Sequence, residues 1–317
     1  MLALAEIFSA PWVIFIVAVL FFLALDLGVF HRHAHVVRFR EALGWTAIWF
    51  ACAMIFAWII APRLVDSWDR QDTDEFVTGY ILELSLSMDN VFVIALIFAY
   101  FRVPPEHQHR VLFWGILGAL VMRGLMIWLG VELVQSFEWM LYALGVFLIF
   151  TGIKMVFGGE EEVHPEKNLA IRVARKFFPV SDRFDGSHFV TRINGRRALT
   201  PLALVLITVE TTDLIFAVDS IPAILGVTQN PFVVFTSNVF AILGLRSLYF
   251  VLAGAIGYFR YLKIGLALVL VFIGGKMLIA HTSYKISTQL SLWIVAGIIG
   301  LSVLLSAAAA GREHRPK

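Results

Sequence analysis

The chain has 317 residues, 60% hydrophobic and 15% charged, with mean hydropathy +0.84 and a formal charge of +2. Soluble domains sit nearer half apolar and a quarter charged, so this balance excludes an ordinary soluble protein and points to one polytopic membrane bundle over 1–317. The single cysteine, Cys52, excludes an internal disulfide and reads as a packed thiol.

Apolar runs predict an all-α membrane protein with about nine transmembrane helices: 11–30, 43–61, 76–100, 111–131, 138–157, 199–227, 232–257, 262–280 and 289–310. The first run follows no basic n-region and ends in Asp26 and a basic loop, so it reads as a retained span rather than a cleaved signal. His31, His33 and His35 in that loop read as an interfacial basic segment, with metal gathering as the alternative.

Charge alternates between the loops. Basic residues concentrate in the odd-numbered loops and the tail, whereas the even-numbered loops hold Arg63, Arg70 and Lys285. By the positive-inside rule this places the N-terminus outside, in the periplasm, and the C-terminus in the cytoplasm. The long basic loop 158–198 is then cytoplasmic. Its stretch Ile171–Phe178 reads either as an ordinary topology-setting loop, the default, or as a helix resting on an anionic leaflet.

Spans three to five, within 76–157, resemble spans six to eight, within 199–280. Ser87–Ile94 aligns with Thr211–Val218, Arg123–Leu125 with Arg246–Leu248, and Ile149–Met155 with Val271–Met277, at offsets of 122–124 residues. Each unit has an odd number of spans, so consecutive units run in opposite directions. Inverted repeats with sites near the midplane mark transporters.

Acids interrupt these apolar runs at Glu83, Asp89, Glu210, Asp213 and Asp219. Ionisable groups at such depth are costly unless they meet an ion, a cavity or a partner charge. The candidate metal ligands are Glu83, Asp89, Asn90, Glu210, Asp213 and Asp219, with hydroxyls of Ser85, Ser87, Thr208, Thr211 and Thr212 as additions. By helix rise, Glu83 and Asp219 lie roughly 9 Å outward of the pair Asp89 and Asp213. Pro222 predicts a broken helix whose carbonyls reach the site. Oxygen donors without imidazole or thiolate suit Mn2+, Mg2+ or Ca2+. Arg123 and Arg246 supply compensating charge, and the competing reading is purely structural pairing. Asp26, near the cytoplasmic end of span one, reads as a supporting charge, either an entry ligand or a cap against Arg32. Gly115, Gly118, Gly124, Gly274 and Gly275 read as close helix contacts.

Glu83–Asn90, Glu210–Pro222, Asn230–Tyr249, Tyr261–Lys263 and Phe272–Leu278 together resemble the TerC family, closest to its Alx branch. The family is named for tellurium resistance, and bacterial members of this branch are implicated in manganese export. The resemblance implies a bacterial inner-membrane protein that removes excess Mn2+, using the acids at Glu83, Asp89, Glu210, Asp213 and Asp219. Proton inflow is the expected driving exchange. The alternative is a non-transport membrane protein assisting assembly or stress responses. Neither an enzyme, a cofactor nor a nucleic-acid partner is expected; the bilayer is the partner, and an oligomer is compatible with this reading.

Overall fold

A computed structural model describes residues 9–25, 39–137, 139–157, 168–181, 183–193, 195–253, 261–280, 282 and 286–313. Asp26, Lys285 and the histidines of the first loop lie outside the described residues. So do the side chains of Asp89 and Arg246, although both sit on described helices.

Helix α1 spans Ala10–Leu25. Helix α2 runs from Phe39–Ile55 through a π-helical turn, Phe56–Ile60, into Ala61–Leu64. Helix α3, Arg70–Tyr100, begins at a reciprocal cap: the Asp72 amide donates to Asp69 Oδ1 at 2.9 Å and the Asp69 amide to Asp72 Oδ2 at 3.1 Å. Helix α4, Pro105–Ser136, starts on prolines, which suit a first turn because its amides have no helical partner. Helix α5 is Trp139–Phe157. α3 and α4 are longer than their apolar cores suggested, because polar first turns extend each helix beyond its hydrophobic window.

The basic loop contains a short helix, α6, Leu169–Phe177, and an antiparallel hairpin of β1, Val190–Ile193, with β2, Arg196–Leu199. This corrects the all-α expectation locally. Gly195, with φ +76°, supplies the left-handed backbone that a tight turn needs. The pair Asn194–Gly195 was the available signal, a common hairpin turn dipeptide. Helix α7, Pro201–Leu225, starts at Thr200, whose Oγ1 accepts from the Ala203 amide at 3.3 Å. Helices α8, Pro231–Ala253, α9, Leu262–Leu278, and α10, Thr288–Glu313, complete the described elements.

Six stretches within these helices are long and apolar enough to cross a membrane: Glu41–Leu64, Arg70–Tyr100, Pro105–Ser136, Trp139–Phe157, Pro201–Leu225 and Thr288–Ser306. Ala10–Ala24 and Pro231–Leu245 are shorter apolar runs. Large apolar side chains such as Val121, Phe150 and Leu304 point outward, as expected where lipid is the solvent.

α8 packs against α2, α3 and α4, while α7 packs against α3 and α4. Phe15, Phe56, Trp68, Phe76, Phe232 and Phe240 fill one core cluster. α5 and α9 pack closely together. A Cβ on Gly145 would stand 3.0 Å from the Gly274 carbonyl oxygen, and one on Gly152 would stand 2.7 Å from the Ala267 carbonyl oxygen. Small residues are what permit backbones to approach this closely. Gly275, expected to be another contact, faces open space.

Candidate functional site

Four helices bring polar side chains to one buried point. Arg123, from α4, is 1% exposed. Its Nη2 donates to Asp213 Oδ1 at 2.9 Å and its Nε to Asp213 Oδ2 at 3.3 Å, a two-pronged grip on α7. Its Nη1 donates to Glu83 on α3 and, more weakly, to Asn238 Oδ1 on α8 at 3.4 Å. Glu83 Oε1 also accepts from Ser87 Oγ at 3.2 Å, one turn along α3. Asn238 Nδ2 donates to the Val234 carbonyl at 3.0 Å, which fixes the amide so that its oxygen faces Arg123. Glu83, Arg123 and Asn238 are all buried.

Glu210 sits one helical turn before Asp213 on α7. Its Oε2 is buried and finds no hydrogen-bond partner. The carboxylate rests against Gly118 of α4, in the space a side chain there would fill. Two acids therefore share one arginine, while a third carboxylate lies nearby with an unsatisfied oxygen. An ionised oxygen left in that position is costly, and a proton or a cation relieves the cost.

Of the remaining expected ligands, Asp219 accepts from Thr151 Oγ1 of α5 at 3.4 Å. Asn90 is buried on α3. Ser85, Thr208, Thr211 and Thr212 donate to carbonyls one turn back in their own helices. Glu83 and Asp213 share one guanidinium, a link made by side-chain reach that backbone rise does not report. The expected break at Pro222 is also absent: α7 continues through it to Leu225. Among the described residues, no three His, Cys, Asp or Glu side chains converge closely enough to hold a metal ion.

Asn238 and Gly118 escaped the sequence reading as site residues. Asn238 carried a signal, since it is a lone amide within an apolar span. Gly118 was read only as a close helix contact, and its part is to leave room for Glu210.

Residues 68–315 match the family described as Integral membrane protein TerC family. The chain belongs to the TerC family. It is 50% identical over 299 residues to the "Uncharacterized membrane protein STKORF319" of Myxococcus xanthus, covering 93% of this chain and 91% of the relative. It is 45% identical over 301 residues to the "Putative membrane-bound redox modulator Alx" of Escherichia coli (strain K12), covering 93% and 94%. A Rickettsia bellii relative, "Uncharacterized membrane protein", is 37% identical over 295 residues, covering 93% of this chain and 96% of its own. No solved structure matches the chain. This TerC protein is thus an integral, multi-pass membrane protein, with the Arg123 cluster inside its helical bundle.

Proposed function

We propose that this TerC protein exports a hard divalent cation, Mn2+, across the bacterial inner membrane in exchange for protons. The observation that carries the reading is the unpartnered Glu210 oxygen one turn from two acids that share a single arginine. In the arrangement described, the Arg123 guanidinium stands between Glu83 and Asp213. Cargo binding would move it aside, so that Glu83, Glu210 and Asp213, with Asp89 and Asn90, supply oxygens. Asp219 stands further outward along α7 as an exit ligand, and Asp26 and Arg246 are supporting charges. Oxygen donors alone suit Mn2+, Mg2+ and Ca2+; the choice of Mn2+ rests on the TerC resemblance. Driving a cation outward costs ~2.3 kcal/mol per charge per 100 mV, which proton inflow offsets. The protein acts without catalysis or a cofactor.

The reading includes nine spans, a periplasmic N-terminus, a cytoplasmic C-terminus and two inverted three-helix repeats. The α5–α9 contacts support the repeats. Under the 122-residue offset, Gly145 corresponds to Ala267 and Gly152 to Gly274. The close approach of Gly145 to Gly274 then exchanges with that of Gly152 to Ala267, as a two-fold axis requires. The packing of α3 on α8 and of α4 on α7 exchanges in the same way.

A second reading, in stress response or membrane-protein assembly without transport, is favoured by the redox name of the Alx relatives and by the lack of a preformed metal cluster among the described residues. The single Cys52 weighs against a thiol cycle, since no second thiol exists within the chain. Proteoliposomes loaded with a metal-sensitive dye decide between them. Mn2+ flux that depends on a pH gradient and is lost in Asp89→Asn with Asp213→Asn supports export. Wild-type protein that moves no Mn2+, Mg2+ or Ca2+ under any gradient supports the second reading.

A further inference from the structure

Helix α6 has three distinct sides. Ile171 is buried at 3% exposure, and the helix packs against α7. Leu169, Val173 and Phe177 recur every four residues and form an apolar stripe; Leu169 and Phe177 are 70% and 71% exposed. Arg172, Arg175 and Lys176 form a third, exposed side. Phe178, just past the helix end, is also exposed. An uncovered aromatic and aliphatic stripe flanked by cations is the chemistry of a helix lying in a bilayer interface.

The neighbouring hairpin carries the same sign. Arg192 and Arg197 are directly opposite partners, and Arg196 pairs with Ile193. Like charges facing each other across a ladder repel. An anionic surface offsets that repulsion. Because α6 packs on α7, a helix of a membrane-embedded chain, a bilayer always accompanies it.

We propose that α6 docks onto anionic phospholipid headgroups of the membrane that holds the protein, with Leu169, Val173 and Phe177 entering the acyl boundary and Arg172, Arg175 and Lys176 pairing with lipid phosphates. This inference rests on membrane embedding and is independent of the transported cargo.

The test uses the full chain with Cys52→Ala and Phe177→Cys, reconstituted into nanodiscs of phosphatidylcholine alone or with about one third phosphatidylglycerol. A neutral, membrane-impermeant maleimide reports exposure of the new thiol. Labelling is expected to slow by at least about tenfold in the anionic discs. Adding Arg172→Glu, Arg175→Glu and Lys176→Glu is expected to restore fast labelling. Equal rates in the two lipids overturn the proposal. The same protection from inorganic phosphate in neutral discs overturns it by showing that a soluble anion, not the bilayer, is the ligand.

Discussion

Arg123 holds Asp213 through two nitrogens, at 2.9 and 3.3 Å, across a helix interface between residues ninety positions apart in the chain. The fork geometry of guanidinium makes this grip directional, and lysine offers only a point charge. Arg123→Ala leaves the buried Glu83 and the partly buried Asp213 without their counter-charge, and it is expected to destabilise the bundle by about 3–5 kcal/mol. Arg123→Lys should fall between alanine and wild type. The double variant Arg123→Gln with Asp213→Asn should recover part of the loss. Thermal unfolding in detergent, followed by size-exclusion recovery, measures the series. An Arg123→Ala protein as stable as wild type would show that the network is energetically idle.

Gly118 and Glu210 make the second relationship. A methyl group at position 118 meets the far end of a flexible side chain, which can swing away. Gly118→Ala should therefore change stability by less than about 1 kcal/mol. It should nevertheless reduce ion flux as severely as Glu210→Gln, because it expels the carboxylate from its place. Mn2+ flux and unfolding temperature, measured on the same preparations, separate the two effects. Normal flux in Gly118→Ala would remove Glu210's position from the mechanism.

Cargo binding to the folded state also predicts thermal protection. At a hundredfold excess over its dissociation constant, a ligand stabilises by about 2.7 kcal/mol. Mn2+ should raise the unfolding temperature of wild-type protein in a saturable manner. Asp213→Asn and Glu210→Gln should each abolish most of the rise while still folding. If the shift is the same in all three proteins, the metal acts elsewhere.

How much of this was legible beforehand follows from what each residue must do. Apolar runs located the helices because lipid demands a continuous apolar exterior, and acids within those runs stood out because they are costly there. Arg123 was legible as a counter-charge for the same reason. Its choice of Glu83 and Asp213 was not, since helix rise gives depth but neither rotation nor side-chain reach. Pro222 misled because loss of one amide donor suggests a break, whereas neighbouring packing keeps α7 continuous. Gly275 misled because composition does not say which face of a helix meets its partner. Asp89 and Arg246 were legible in the same way, as charges within apolar runs, and their side chains lie outside the described residues.

The α5–α9 pair turns the repeat itself into a measurement. A Cβ on Gly152 meets backbone oxygen of Ala267 at 2.7 Å, and one on Gly274 meets backbone oxygen of Gly145 at 2.5 Å. Neither obstacle can rotate away, so Gly152→Ala and Gly274→Ala must push the helices apart. Overpacking of this kind costs roughly 1–3 kcal/mol. A two-fold relation predicts that the two losses are similar, since the positions correspond. Gly275→Ala is the internal control: it adds the same methyl to the same helix in open space and gains helix propensity, so it should be neutral or slightly stabilising. Detergent unfolding of the three variants checks the pattern. Similar losses at 152 and 274 with none at 275 fit a symmetric interface, whereas a large loss at only one of the two would show that the repeats pack without the proposed axis.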